Sequence, residues 1–295
     1  MDQSSLNDLS QAQRERLAHI EFRVWFLGQV SRIDLIKTFD IAPAVGTRDF
    51  AAYKKIAEGN LAFDDSRKVY VPSSGFSPVF SHEPERVLSA LSKGFGDGVA
   101  RNLTGYVPSA TLQRLGEPSL PVLAALTQAI YQRKVVRLTY HSYSSGATRR
   151  DLIPFAIADS GGRWHVRAFD RKRNEFRDFA INRVDKPLLL EDEAIQPHEM
   201  PDQDFQWSRV VSLELIPHPC HDRPDVVMRD LGMRDGKLVL NVRAPLVGYA
   251  LQNWCVDCSA DASLDPRRFR LSLKDADKVL FAVESAVLAP GFHPQ

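Results

Sequence analysis

Basic and aromatic side chains alternate along a short segment in the middle of the chain, residues 163–170, which reads Arg-Trp-His-Val-Arg-Ala-Phe-Asp. Successive side chains of a β-strand point to opposite faces of its sheet. A strand here has a cationic face and an apolar face: Arg163, His165, Arg167 and Phe169 against Trp164, Val166 and Ala168. Arginine binds phosphate in a bidentate way and aromatic rings stack on bases, so the cationic face suits a nucleotide-like ligand. The alternative is that these arginines lie on a solvated outer face of the sheet.

The neighbouring segments predict the sheet that holds this strand. Apolar, β-rich runs cover residues 135–143, 152–158 and 176–181, and the intervening turns are rich in Gly, Ser and Asn. Short antiparallel strands with tight turns are typical of a small Sm-like or SH3-like β-barrel. An apolar helix is expected just before them, over residues 121–132.

The N-terminal segment predicts three helices followed by a hairpin. Apolar residues at helical spacing mark a helix over 11–28. Ser31 is a candidate N-cap with Asp34 at the third helical position, and the short helix that follows is expected to bury Ile33, Ile36 and Phe39. A helix over 44–58 and strands over 61–63 and 69–71 complete the order of a winged helix-turn-helix.

The predicted third helix and hairpin supply candidate contacts to double-stranded DNA. Phe50, Tyr53 and Ala57 are expected to face the core. The candidate DNA-binding residues are Thr47, Arg48, Ala51, Lys54 and Lys55 on the outer face, and Arg67, Lys68 and Tyr70 on the hairpin. The alternative is that the lysines are merely solvated. Acidic residues, among them Asp49, lie between the bases, so we expect modest phosphate affinity and a dimer to reach useful binding.

Charge is distributed unevenly although the 295-residue chain has a formal net charge of only +1. Residues 131–186 hold thirteen Arg and Lys against six Asp and Glu, and residues 191–204 hold six acids and neither Arg nor Lys. We therefore predict a multidomain α+β protein. Its divisions are a winged helix at 1–80, a loop-rich connector at 81–120, a β-barrel at 121–190, an acidic linker at 191–207, and a small α+β dimerisation domain at 208–295. In the last domain, strands are expected over 210–216, 238–242 and 268–273, and helices over 224–231, 246–253 and 276–286.

Catalytic, cofactor and membrane signatures are absent from the sequence. No nucleophile elbow, P-loop, zincin or dinucleotide-binding motif occurs, so we expect no enzyme, no catalytic residue and no cofactor. We expect residues 94–98, rich in glycine, to be a linker rather than a phosphate-binding loop.

Cys255 and Cys258 form a C-x-x-C pair with His218, Cys220 and His221 upstream, but the spacing fits no zinc finger or ribbon, so no metal is expected. Without a leader or an apolar span, a cytoplasmic location is expected.

The chain resembles the WYL-domain transcriptional regulators. Residues 164–166, Trp-His-Val, occupy the place of the family's Trp-Tyr-Leu signature, and the runs at 167–170, 176–179 and 181–184 match around it. The upstream segment, from Arg32 to Phe80, is similar to the winged helix of repressors found beside BREX and CBASS anti-phage defence systems. The resemblance implies that the barrel binds a regulatory ligand, often nucleic acid or a nucleotide, and that the C-terminal extension helps to dimerise. The ligand residues it implies are Tyr140, Ser142, His165, Arg167, Arg177 and Arg183.

These observations lead to one main hypothesis and two rivals. The main one is a homodimeric repressor that binds operator DNA, controls an anti-phage defence operon, and is released by a nucleotide or single-stranded nucleic acid. The first rival is an RNA- or single-strand-binding protein that uses mainly the barrel. The second is a nucleotide-processing enzyme that uses His141 or His165. The sign of regulation stays open, because operator position determines it.

Overall fold

The computed structural model describes residues 9–95, 105–110, 112 and 115–293. The chain divides into two compact units, Met1–Leu112 and Gln113–Gln295. Residues 96–98 of the glycine-rich segment lie outside the described part. No helix among the described residues is long and apolar enough to cross a membrane.

The first unit has the predicted order of three helices and a hairpin. Its elements are α1 Gln11–Leu27, α2 Arg32–Phe39, α3 Pro43–Ile56, β1 Leu61–Asp64, β2 Val69–Pro72 and α4 Pro84–Lys93. The capping box at the start of α2 is confirmed, since Ser31 Oγ accepts from the Asp34 N–H and Asp34 accepts from the Ser31 N–H at 2.7 Å. Leu17, Ile20 and Val24 form the predicted buried stripe of α1.

Two predictions for this unit are wrong. Ile33 is 59% exposed, and Leu35 is the fully buried residue of α2. Two positions apart on a helix is about 200°, so only one of the pair can face the core. The second error is the loop-rich connector, because α4 forms inside it. Pro84 occupies its first turn, where proline is tolerated, and Val87, Leu88 and Leu91 recur at helical spacing, a local signal that the prediction missed.

The second unit begins with α5 Leu120–Gln132 and an antiparallel five-stranded sheet, which we call the middle sheet. Its strand order is β6-β5-β4-β3-β7. The strands are β3 Val135–Ser142, β4 Gly146–Asp159, β5 Trp164–Asp170, β6 Glu175–Ala180 and β7 Val184–Leu190. β4 begins six residues before the predicted strand, and β7 was not predicted. A bulge between Pro154 and Ala156 bends β4. In this strand order β6 and β7 are the two edge strands, so the sheet is open where a barrel was predicted.

The acidic segment that follows β7 lies against the middle sheet. Arg171, in the turn after β5, pairs with Glu193 at 2.8 Å and with Glu199 at 2.7 Å, and Lys134 pairs with Glu191. The acidic segment stays close to the middle sheet through short turns. These are the 3-10 turns Pro197–Glu199 and Pro201–Gln203 and the single-turn helix α6 Phe205–Ser208. The segment predicted as a linker therefore neutralises part of the positive charge of residues 131–186.

The C-terminal part of the second unit is a four-stranded sheet packed with helices, in the order β10-β11-β8-β9. Its elements are β8 Val210–Pro217, α7 Pro224–Asp230, β9 Leu238–Arg243, α8 Ala244–Asn253, β10 Val256–Asp257, β11 Leu271–Leu273, α9 Ala276–Leu280 and a 3-10 turn Glu284–Leu288. One continuous final helix over 276–286 was a wrong prediction. The backbone of Ala282 has φ 56°, a left-handed conformation that a right-handed helix cannot contain.

Candidate DNA-binding and ligand-binding sites

The outer face of α3 carries every residue predicted for it. One side of the helix is buried through Phe50 and Tyr53, with Ala57 just beyond its end. The opposite side is exposed and presents these residues: Thr47, Arg48, Ala51, Lys54 and Lys55. α3 starts with Pro43, whose fixed φ suits a first helical turn. The structure thus brings the five candidates onto one solvent-facing surface.

Asp49 does not belong to that surface, contrary to the sequence-based expectation. Its carboxylate is 1% exposed and accepts from Arg16 Nε at 2.6 Å, with a further hydrogen bond from Gln13 at 3.2 Å. A paired carboxylate on the inner side repels an approaching phosphate much less than a free one on the outer side. The outer face of α3 is therefore more cationic than the sequence suggests.

Two neighbouring side chains arrange this face. Arg32, at the first position of α2, donates to Thr47 Oγ1 at 3.1 Å and is itself exposed. A Cβ on Gly46 would lie 3.2 Å from Arg32 Cγ, so Gly46 allows α2 and α3 to approach closely. Sequence reasoning missed Arg32 as a site residue. Its place directly after the Ser31 cap was the available signal.

The hairpin places its basic residues at the tip and its tyrosine against α3. Arg67 and Lys68 are exposed; Arg67 contacts Gln29, and Lys68 is 3.4 Å from Asp65. Tyr70 is half-buried and stacks on Phe50 with ring centroids 4.7 Å apart. Its hydroxyl also accepts from Lys54 Nζ at 3.2 Å. Tyr70 therefore holds the hairpin to α3 and orients Lys54.

A buried carboxylate fixes α1, α3 and the chain after the hairpin to one another. Glu21 is fully buried and accepts from the Tyr53 hydroxyl at 2.8 Å. It also accepts from the backbone N–H groups of Val79 and Phe80 at 2.9 Å, and His82 Nε2 lies at 2.9 Å. A buried carboxylate satisfied in this way determines the position of its partners. The signal in the sequence was a glutamate within the apolar stripe of α1.

The second unit contains a polar cavity of about 520 Å³ between the middle sheet and the C-terminal domain. Three predicted ligand residues line it: Tyr140, His165 and Arg183. The sequence did not point to the C-terminal side of the cavity, which is formed by Tyr249, Gln252, Asn253 and Leu288. Its volume falls within the range of small-molecule sites.

The other three predicted ligand residues do not line this cavity. Arg167 is 2% exposed and makes a bidentate pair with Asp204, at 2.7 and 3.1 Å. Arg177 is exposed on β6, 2.9 Å from Glu175, and Ser142 lies near Ser144 at the end of β3. The alternation of side chains along a strand shows which face an arginine lies on, but it does not show whether that arginine already has a carboxylate partner.

Arg163 and Arg183 supply positive charge at the mouth of the cavity. Arg183 lies 3.9 Å from the centre of the Tyr143 ring. The charge of Arg183 and a hydrogen bond from Arg163 lower the pKa of the Tyr143 hydroxyl, so both guanidinium groups converge there. Such a pair suits an anionic group.

His165 contributes an unpaired nitrogen to the cavity wall. It is 5% exposed, its ring centroid lies 5.0 Å from that of Tyr249, and Nδ1 has no hydrogen-bond partner. Burial, together with the charges of Arg163 and Arg183, lowers its pKa to about 4. The ring is therefore neutral near pH 7 and offers a hydrogen bond rather than a charge.

Asp178 brings a carboxyl group to the same cavity. Burial raises its pKa to about 6, although Arg167 at 3.4 Å opposes that shift. Its Oδ1 is the oxygen that faces Arg167 Nη1, and it makes no further hydrogen bond. The cavity thus contains two arginines, a neutral imidazole and a carboxyl group that titrates slightly below neutral pH.

The 159–162 turn joins the two sides of the cavity. Gly161 has φ 80°, and a Cβ on it would collide with the Asn253 side-chain amide of α8. The left-handed backbone favours glycine here, and the missing side chain leaves room for the Asn253 amide.

The cysteines have no metal-binding arrangement. The described residues hold no group of three or more His, Cys, Asp or Glu side chains placed to bind a metal ion. His218 and Asp257 form a buried hydrogen bond of 3.0 Å instead. Cys258 is buried, and burial raises the pKa of its thiol to about 12.

Three family models match successive parts of the chain. The winged helix-turn-helix domain of the BrxR transcriptional regulators matches residues 12–93, which include α4. The WYL domain matches residues 121–187, and the C-terminal dimerization domain of the BrxR regulators matches residues 210–279. A DNA-binding transcriptional repressor, CapW of Stenotrophomonas maltophilia, is 30% identical over 290 residues, 95% of both chains. The chain belongs to this family of WYL-domain transcriptional regulators.

Other members of the family are about equally similar. CapW of Escherichia coli is 29% identical over 279 residues and CapW of Pseudomonas aeruginosa is 29% identical over 280, each match covering 90% of both chains. The solved structure of proteasome accessory factor B/C of Arthrobacter aurescens is more distant, with 16% identity and a TM-score of 0.30 over 92% of this chain and 46% of that one.

Proposed function

We propose that this chain is a ligand-responsive repressor that binds an operator as a homodimer and controls an anti-phage defence operon. The observation that carries the proposal is the exposed basic face of α3 beside a hairpin with a basic tip, in a family whose named members are DNA-binding repressors. α3 would enter the major groove through Arg48 and its neighbours, and Arg67 and Lys68 would contact phosphates. Pairing through the C-terminal domain suits an operator with two-fold symmetry.

The ligand proposed for the cavity is a nucleotide or a short single strand. Arg163 and Arg183 would bind a phosphate, Tyr249 offers an aromatic ring, and His165 together with Asn253 offers hydrogen-bonding groups for a base. Release of DNA requires the ligand to favour one of two protein states. Because the middle sheet and the C-terminal domain both line the cavity, a ligand there contacts the part of the chain proposed to pair two subunits.

The direct test is a mobility-shift titration of the full chain on the DNA upstream of its own gene, with unrelated duplex as competitor, at about 0.15 M salt. Tight binding that resists the competitor supports the repressor. Affinity equal to that for unrelated duplex, in the range of about 10⁻⁴–10⁻⁶ M, would rule it out.

Replacing Arg48 with alanine should weaken operator binding by about 10- to 100-fold, as expected for the loss of one bidentate base contact worth about 1–3 kcal/mol. Binding to unrelated duplex should change little. Lys37→Ala, an exposed lysine on α2, is the matched control. An equal loss on both duplexes would show that Arg48 contacts phosphate and does not read bases.

The cavity should bind an anionic probe more tightly as the pH falls from 7.5 to 5. Asp178, with a pKa raised to about 6, becomes neutral over this range, while His165, with a pKa near 4, stays uncharged. Loss of one nearby negative charge should raise affinity by about three- to tenfold. The measurement is fluorescence titration of a labelled pentathymidylate without a terminal phosphate, because its phosphodiesters keep their charge over this pH range.

Two variants make this pH test specific. Asp178→Asn should remove the pH dependence of binding. Arg163→Ala/Arg183→Ala should remove binding of the anionic probe at the cavity, and the pH dependence with it. A pH dependence that persists in Asp178→Asn would show that another group titrates.

A further inference from the structure

A second cleft, of about 740 Å³, lies in the C-terminal domain and shares no lining residue with the ligand cavity. It is formed by the loop before α7, by α7 itself, by the end of α8 and by the loop before β11. Four arginines line it, and they are Arg223, Arg267, Arg268 and Arg270. Asp230 is the single carboxylate in the lining. The cleft is therefore strongly cationic, in a chain with a net charge of only +1.

Three of these arginines are available to a ligand. Arg223 pairs with Asp225, with both nitrogen–oxygen distances near 3 Å. Arg267, Arg268 and Arg270 are exposed, and none makes an ion pair with a residue in the described part of the chain. Clustered guanidinium groups with no carboxylate partner are the usual arrangement for binding phosphate.

The backbone holds the three arginines in place. The Asp265 carbonyl accepts from the Arg268 N–H at 3.0 Å and from the Phe269 N–H at 2.9 Å, and its carboxylate accepts from the Arg267 N–H at 3.0 Å. The Arg270 carbonyl accepts from the His218 N–H at 2.9 Å, next to the buried His218–Asp257 pair. A turn fixed in this way reduces the entropy that ligand binding would otherwise cost.

An aromatic ring and a hydrogen-bond donor complete the cleft. Trp254 follows α8 and is 39% exposed, beside the apolar side chains of Val226 and Leu231. His221 Nδ1 accepts from the Arg223 N–H at 3.0 Å, so the proton of the neutral ring lies on Nε2. An exposed indole next to arginines suits a flat aromatic group attached to an anion.

We propose that this cleft is a second effector site, which binds a nucleoside phosphate with its base against Trp254 and its phosphate on Arg267, Arg268 and Arg270. A two-fold interface centred on this cleft would bring the same arginines of two copies together, and like charges there would oppose pairing. The charge of the cleft therefore favours an anionic ligand over a second copy. This site is independent of the ligand cavity.

The test is quenching of Trp254 fluorescence in the full-length protein. Adenosine diphosphate and a 5′-phosphorylated pentathymidylate are the two probes, representing a free nucleotide and a strand. Because the chain has four tryptophans, Trp254→Phe identifies the signal from this site. Arg268→Ala/Arg270→Ala tests the phosphate contacts, Arg229→Ala is the matched control on the exposed side of α7, and Arg163→Ala/Arg183→Ala disables the ligand cavity.

At least one probe should quench the fluorescence, and Trp254→Phe should lose this quenching. Arg268→Ala/Arg270→Ala should weaken binding at least about tenfold. For the pentanucleotide, it should also flatten the salt dependence by about 1.4 logarithmic units per decade, for two lost single-strand contacts. The control and the cavity variant should bind as the wild type does. Quenching by adenosine diphosphate identifies a free nucleotide, and quenching by the pentanucleotide alone identifies a strand.

Three outcomes would overturn the proposal. The first is the absence of Trp254-dependent quenching by either probe. The second is unchanged affinity in Arg268→Ala/Arg270→Ala. The third is a loss of dimer on size exclusion by that variant, which would make the cleft an interface between copies. Failure of the ligand cavity would appear separately, in the Arg163→Ala/Arg183→Ala protein.

Discussion

Replacing Arg167 with leucine should lower the free energy of unfolding of the second unit by about 3–5 kcal/mol, the usual effect of removing one partner of a buried ion pair. Arg167 is 2% exposed and contacts Asp204 at 2.7 Å, Asp178 at 3.4 Å and Glu284 at 3.6 Å. Without the guanidinium group, two buried carboxylates lose their counter-charge. Urea denaturation followed by circular dichroism measures the loss.

The matched control is Arg177→Leu, which removes the exposed pair with Glu175 and should change stability by less than about 1 kcal/mol. The double variant Arg167→Leu/Asp204→Asn should recover part of the loss, because asparagine has no charge and still caps α6 through the Trp207 N–H. If Arg167→Leu is as stable as the control, the ion pairs of Arg167 do not stabilise the fold, and Arg167 is again a candidate ligand-binding residue.

Replacing Gly248 with alanine should destabilise the C-terminal domain by about 3 kcal/mol, at the upper end of the usual cost of overpacking. A Cβ on Gly248 would overlap the carbonyl of Ser285, which is backbone and cannot rotate away. The Gly248 N–H also donates to Ser285 Oγ at 3.0 Å, and that hydroxyl donates to the Ala244 carbonyl at 2.9 Å. The new methyl group must therefore displace the 3-10 turn Glu284–Leu288.

The same turn carries Glu284, near Arg167, and Leu288, which lines the ligand cavity. Thermal unfolding and probe binding at the cavity should thus both be impaired in Gly248→Ala. Ser285→Ala removes only the hydrogen bonds and should cost about 1 kcal/mol. Gly162→Ala, where a Cβ meets nothing within 4 Å, is the steric control for stability. Equal stability of Gly248→Ala and Gly162→Ala would show that the turn can shift freely.

The sequence by itself determined the elements and the outer face of α3. Apolar spacing, the Ser31 cap and the glycine-rich turns are local signals, and each acts over a few residues. They predicted α1 to α3, the hairpin, α5 and most strands in both sheets. The face of α3 followed from helical periodicity alone, because Phe50 and Tyr53 define the buried side and so determine the exposed one. Where local signals compete, as at Ile33 and Leu35, the prediction failed.

Only the tertiary structure decided which charged side chains have partners. Asp49 pairs with Arg16, Arg167 with Asp204, and Arg171 with Glu199, and these partners are 28 to 37 residues apart in the chain. Strand parity placed Arg163 and Arg167 on the same face, yet one lines the ligand cavity and the other is enclosed by carboxylates. The C-terminal half of that cavity comes from α8, far along the chain. The physical reason is that periodicity reports the direction of a side chain from its own backbone, whereas charge pairing depends on the groups that folding brings opposite it.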